Sequence, residues 1–210
     1  FHPMVDQDLT LFIGDGNQMA SVNSSGTFTA NALDINEPLR IKTLLDYEND
    51  VLIGTFTATS VIKTKLIRWD TVSSSWNETD PIEEVGINAF IRDDNYVYAQ
   101  AGRVGRLYFY NGEQLVPYKR IPGIWSDTQY GEVFPSSWAN HQGLPVFGFS
   151  NGAGNPAKQG LYVLGSYSRD YSKVLDLSWV NSQDKTSSQH IGAVLNLAGT
   201  LMVAWRDGTN

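Results

Sequence analysis

The sequence contains no cysteine, which excludes a disulfide framework and any thiolate metal site. Charge is also scarce, at 18% of 210 residues against a usual quarter. The 15 basic residues are outnumbered by 22 acidic ones, and a net charge of −7 argues against a nucleic-acid-binding surface. Long apolar runs are missing as well. The longest, such as Leu161–Leu164 and Leu201–Trp205, have the length of strands, so no membrane insertion is expected. The chain opens on Phe1 without the basic, apolar and small-residue pattern of a signal peptide. Helical periodicity is absent, which removes bundles and helical solenoids. The room left by charge is taken by Ser, Thr, Asn, Gln and 19 Gly, beside 41% hydrophobic and 12% aromatic residues. That is a globular composition, too rich in Gly, β-branched and aromatic residues for a helical protein.

What is present is a repeat. An apolar run, a polar turn and a second apolar run ending in a small residue recur five times. The copies are Met4-Val5 with Leu11–Gly14, Leu44-Leu45 with Val51–Gly54, Ala89-Phe90 with Tyr96–Ala99, Trp138-Ala139 with Pro145–Gly148, and Val194-Leu195 with Leu201–Ala204. The intervening turns are Asp6–Asp8, Asp46–Asp50, Arg92–Asn95, Asn140–Gly143 and Asn196–Gly199, rich in residues that tolerate tight turns. The small residues Gly14, Gly54, Ala99, Gly148 and Ala204 lie 40, 45, 49 and 56 residues apart, the length of a propeller blade. A third run follows the first four hairpins at Met19–Val22, Leu66–Trp69, Leu107–Tyr110 and Leu161–Leu164. A fourth follows at Thr27–Thr29, Trp76–Glu78, Leu115–Pro117 and Val174–Leu177.

Four short strands per unit predict an all-β chain, a β-propeller of four-stranded antiparallel blades. Sandwiches and barrels offer no reason for a four-strand super-period. The blades fall at approximately 1–37, 38–80, 81–130 and 131–187, with a partial unit at 188–210, making about four and a half in a single propeller domain or segment. The expectation is a segment of a longer six- or seven-bladed protein.

Chemistry is sparse. His2, His141 and His190 sit in separate units with no nucleophile motif beside them, so no catalytic residue, metal ligand or cofactor is expected. The acidic stretches Asp46–Asp50 and Arg92–Asn95 coincide with repeated turns, and neither matches a calcium loop. Asp80–Glu84 is the remaining acidic stretch, and the arginines share no repeat position that would suit an acidic sugar. Asn151–Pro156 lacks the Gly-Lys-Ser/Thr of a phosphate loop, and the sequons at Asn23 and Asn77 are short matches. Aromatics remain. Most of Tyr96, Tyr98, Tyr108, Phe109, Tyr110, Phe147 and Tyr162 fall inside expected strands, where packing between blades explains them. Trp76, Trp125, Tyr130 and Trp179 fall at strand ends or in connections, and are the candidate binding residues for a protein or a sugar. The long connection Tyr118–Ser137 is the best surface for an added function.

The segments Gly26-Thr-Phe-Thr-Ala-Asn-Ala-Leu33, Leu107-Tyr-Phe-Tyr-Asn-Gly-Glu-Gln114 and Tyr118-Lys-Arg-Ile-Pro-Gly123 resemble uncharacterised virion structural proteins of tailed bacteriophages and prophages. The resemblance implies a non-enzymatic propeller in a tail, capsid or host-contact apparatus, assembled in the bacterial cytoplasm. Its implied partners are other virion proteins or further copies of itself. A carbohydrate-binding propeller, a lectin or extracellular host-surface adhesin with a glycan ligand, is the alternative. A glycoside hydrolase fragment ranks third.

Overall fold

The structure is a computed structural model that describes residues 2–57, 63–93, 96–102, 106–120, 131–132, 135–151, 160–165, 171–176 and 190–206. Every regular element among them is a strand. The first sheet runs β1 (Met4–Gln7), β2 (Thr10–Asp15), β3 (Gln18–Asn23) and β4 (Phe28–Asp34) in chain order. The second runs β5 (Leu39–Tyr47), β6 (Asp50–Thr57), β7 (Leu66–Asp70) and β8 (Trp76–Glu78). The third contains β9 (Ile87–Arg92), β10 (Val97–Ala101), β11 (Arg106–Tyr110) and β12 (Leu115–Arg120).

The fourth sheet departs from the expected four strands. Its edge is in two pieces, β13 (Gly131–Glu132) and β14 (Trp138–His141), and both pair with β15 (Leu144–Asn151). β16 (Gly160–Leu164) and β17 (Tyr171–Asp176) complete it. A two-stranded sheet, β18 (His190–Leu197) with β19 (Thr200–Arg206), comes last. This is the expected all-β repeat of four-stranded blades followed by a half unit.

The constant spacing of the sequence repeat is a constant register. Met4 pairs with Ile13, Leu44 with Ile53, Trp138 with Phe147 and Val194 with Val203. A slip of one residue would move every apolar side chain to the wrong face. The turns are narrower than the polar stretches suggest. In the first, second, fourth and fifth hairpins only Asp8-Leu9, Glu48-Asn49, Gln142-Gly143 and Ala198-Gly199 lie outside the strands, so Asp6, Asp46 and Asp50 belong to the ladders. Three of these turns hold both central residues at positive φ, from 48° to 82°, the twist that suits a tight hairpin. Leu9, at 63°, is the unexpected member, because a branched side chain gains nothing there.

The chain divides into two compact units, Phe1–Phe90 with Gly112–Leu115, and Ile91–Asn111 with Val116–Asn210. In the first, the face that a sheet turns toward the following sheet is its front, and the opposite face is its back. The front of the first sheet (Phe12, Met19, Leu33, with Val5) packs on the back of the second (Leu44, Val51, Ile53, Ile67, Trp69). Alternation along β1 and β2 also turns Gly14 forward, and a Cβ there would lie 2.7 Å from Ile41 Cγ2. The small residue closing this hairpin therefore lets the next strand approach. Backbone and side-chain bonds tie the same joint: Ile41 N–H donates to Gly16 O at 2.7 Å, and Gln7 Nε2 to Glu48 O at 3.1 Å.

The second unit repeats the device. The front of the fourth sheet (Val146, Leu161, with Ala139 and Val163) packs on the back of the last hairpin (Ile191, Val194, with Leu201 and Val203). A Cβ on Gly148 would strike Ile191. Val194 N–H donates to Ser136 O at 2.9 Å, and Asn196 Nδ2 to Asn140 O at 2.8 Å.

Candidate interaction surface

Of the four candidate aromatics, Trp76 alone lies among the described residues; Trp125, Tyr130 and Trp179 lie outside them. Trp76 opens the three-residue strand β8 and stands directly opposite Trp69. Direct opposition puts both rings on the back face of the second sheet. Trp69 is buried at 2% exposure, whereas Trp76 at the outer edge is 38% exposed. Most of the Tyr118–Ser137 connection, and Gly152–Pro156 of the glycine-rich stretch, also lie outside the described residues.

The acidic stretches serve the frame. Arg68 bridges the second hairpin: its Nε donates to Asp50, its Nη2 to Glu48 Oε2 at 2.9 Å, and its guanidinium lies 5.3 Å from the Tyr47 ring centre. Asp93 Oδ1 accepts from Tyr96 N–H at 2.7 Å, and Asp80 N–H donates to Gln114 Oε1 at 2.6 Å. Asp70 caps the β7–β8 turn, accepting from Ser73 Oγ at 2.7 Å, Val72 N–H at 2.8 Å and Ser73 N–H at 3.1 Å.

These bonds, led by the Ser73 hydroxyl, hold the Asp70 carboxyl below the ordinary aspartate range. A lowered folded pKa means the turn's contribution is present above the ordinary value and fades as pH falls through the folded one. A carboxyl titration followed by NMR should therefore place Asp70 among the most acidic aspartates, and Ser73→Ala should move it upward. An unchanged midpoint in Ser73→Ala would refute that account.

His2 precedes β1, with Nδ1 3.3 Å from Gly14 O and 3.7 Å from Asp15 Oδ1. His141 ends β14 and His190 begins β18. Among the described residues no group of three or more His, Asp or Glu is arranged to hold a metal ion. The sequon at Asn23 also has a structural use, because Asn23 Oδ1 accepts from Ser25 Oγ at 2.7 Å and Thr27 N–H at 2.9 Å.

One surface stands out that repeat arithmetic alone did not single out, an aromatic run on the third sheet. Tyr96 meets Phe109 at 5.5 Å between ring centres, Phe109 meets Tyr98 at 5.9 Å, and Tyr98 meets Tyr118 at 5.4 Å. Tyr98 is buried, but Tyr96 is 38% exposed and Tyr118 is half-buried. Lys119 Nζ sits 5.8 Å from the Tyr118 ring centre. Exposed apolar side chains also occur in each unit separately: Met4 and Leu11 on the first sheet, and Leu195, Leu197 and Met202 on the last hairpin.

No family model matches the sequence, and no curated protein matches it. Solved structures match its fold. A chain described as the extracellular domain of a hybrid two component system from B. thetaiotaomicron aligns over 96% of this chain and 25% of its own length, with a TM-score of 0.63 and 18% identity. A chain of the mitotic checkpoint complex aligns over 81% of this chain and 48% of its own, at 0.54 and 11%. A protein of unknown function from Bacteroides caccae aligns over 90% and 64%, at 0.55 and 10%. This chain thus spans between a quarter and just under two thirds of the chains it resembles. At these identities the likeness is one of fold, and it places the chain in the all-β class of repeated four-stranded blades, a β-propeller arrangement.

Proposed function

We propose that the chain is a non-enzymatic interaction scaffold, a β-propeller segment that docks protein neighbours in the tail, capsid or host-contact apparatus of a virus particle. One observation carries the scaffold reading. The carboxylates of the hairpin turns bond to their own framework, while apolar side chains such as Met4, Leu195 and Met202 face solvent from sheet faces. Exposed apolar clusters on a folded protein mark interaction surfaces. The virion setting rests on the resemblance of Gly26–Leu33, Leu107–Gln114 and Tyr118–Gly123 to phage structural proteins. Its partners are then other virion proteins or copies of itself, met during assembly in the bacterial cytoplasm. Mass spectrometry of purified particles is expected to find this polypeptide in fixed stoichiometry with the capsid or tail proteins. Particles that lack it would overturn the virion setting.

A second reading draws on the Tyr96–Phe109–Tyr98–Tyr118 run, since part-exposed aromatic rings stack on sugar faces. A glycan array separates the two readings. The scaffold reading expects no specific sugar signal. Binding that is specific and disappears in Tyr96→Ala would replace it with a lectin or adhesin.

A further inference from the structure

We infer that the outer edge of the joint between the first two sheets, around Trp76, holds a proline-bearing extended segment of a partner protein. This names the partner's chemistry within the scaffold reading, on which it rests, and it does not depend on the virion setting.

The joint closes at its centre and opens outward. On the front of the first sheet, Phe12, Ser21 and Thr29 form one row across β2, β3 and β4. On the back of the second, Val51, Trp69 and Trp76 form another across β6, β7 and β8. The rows meet where Phe12 touches Trp69, and both rings are buried there. Farther out the burial falls away: Ser21 is half-buried, Thr29 is exposed and Trp76 is 38% exposed. Both sheets belong to one compact unit, and they follow each other directly along the chain.

The groups at this opening ask for a particular ligand. Trp69 is 2% exposed, and its indole Nε1 is the one buried side-chain nitrogen or oxygen of the first unit, among the described residues, that lacks a hydrogen-bond partner. A buried donor left unpaired is uncommon and costs free energy. An indole N–H only donates, so its complement is an acceptor such as a peptide carbonyl. Trp76, directly opposite on the same face, adds a part-exposed ring. Proline rings pack on aromatic surfaces, and a proline-rich segment is already extended, with carbonyls that no internal hydrogen bond occupies. The Trp69 N–H is covered in the free chain, so the segment reaches it by displacing the edge. That edge is β8, which at three residues is the shortest strand of its sheet. A sugar fits less well, because the amide and carboxylate groups that grip paired sugar hydroxyls are already bonded. Asp70 is committed to its own turn, Glu78 accepts from Lys65, and Asn23 accepts from Ser25 and Thr27.

Calorimetric titration of the 210-residue chain with an oligoproline peptide, beside a glycine-serine peptide of equal length, tests this. The oligoproline is expected to bind and the glycine-serine peptide is not. Trp76→Ala should weaken binding at least about tenfold. Trp69→Phe should weaken it at least about threefold, through loss of the donor. Circular dichroism should show wild-type strand content in both variants, since Trp76 lies at the exposed edge and phenylalanine keeps a buried ring in place of Trp69. The inference fails if the oligoproline binds no better than the glycine-serine peptide, or if either variant binds it as tightly as wild type. It also fails if a glucan oligosaccharide binds instead and Trp76→Ala abolishes that binding, which would make this edge a sugar site. Failure of the oligoproline alone leaves the scaffold reading standing, and the glycan array decides that reading separately.

Discussion

Replacing Trp69 with alanine is expected to lower stability by about 3–5 kcal/mol, read as a shift in the chemical denaturation midpoint. Trp69 is buried in the core shared by the first two sheets. Its ring meets Phe12 edge-on, with centres 5.1 Å apart and planes at 79°, a favoured aromatic geometry. Truncation removes that contact and opens a cavity between two β-sheets whose backbones are each fixed by a hydrogen-bonded ladder, so collapse into the gap is limited. The indole Nε1 has no hydrogen-bond partner among the described residues. Trp69→Phe therefore gives up no hydrogen bond, and it should cost clearly less than alanine. Trp76→Ala, on the same face at the exposed edge, should cost no more than about 1 kcal/mol. Equal losses at Trp69 and Trp76 would show that the outer edge of this face is packed as tightly as its centre, against the burial of the two rings.

Much of this framework is legible in the sequence. Four of the hairpins are readable because one register recurs in them, and register is what the placement of apolar pairs encodes. Turn limits are less legible. Asp46 and Asp50 are polar and suited to turns, yet both sit in the ladder because only the central residues of the tight turn leave it. Leu9 shows the converse: the fixed register puts a leucine in a turn that its own propensity disfavours. The fourth strand of the first unit is longer than Thr27–Thr29, running to Asp34, because polar residues such as Asn31 hide an exposed outer strand. The split edge of the fourth sheet has no counterpart in the other units, so the repeat cannot announce it. For the candidate surface, Trp76 is correctly placed at a strand edge by sequence. Met4 and Met202 are not, because exposure at an apolar repeat position depends on whether a neighbouring sheet covers it.

Adding one methyl group at Gly54 is expected to cost about 1–3 kcal/mol. The repeat marks this position only as small; the structure supplies the reason. A Cβ on Gly54 would lie 2.5 Å from Thr43 Cγ2 on the paired strand and 2.9 Å from Ile87 Cγ2 in the next sheet. Both obstructing carbons are attached directly to a Cβ, so neither can swing aside as the end of a long side chain would. Relief requires the β5–β6 ladder or the contact with β9 to yield, and Ile87 is fully buried. Ala99, at the same repeat position in the third unit, is also fully buried, so a methyl group fits there against different neighbours. The test is a double-mutant cycle. Ile87→Ala removes one obstructing atom, so Gly54→Ala with Ile87→Ala should cost less than the two single losses added together, by at least about 0.5 kcal/mol. Strict additivity would mean that the small residue of the repeat is not there to let the next sheet approach. In that case the matching of front and back faces along the chain would lose its physical basis.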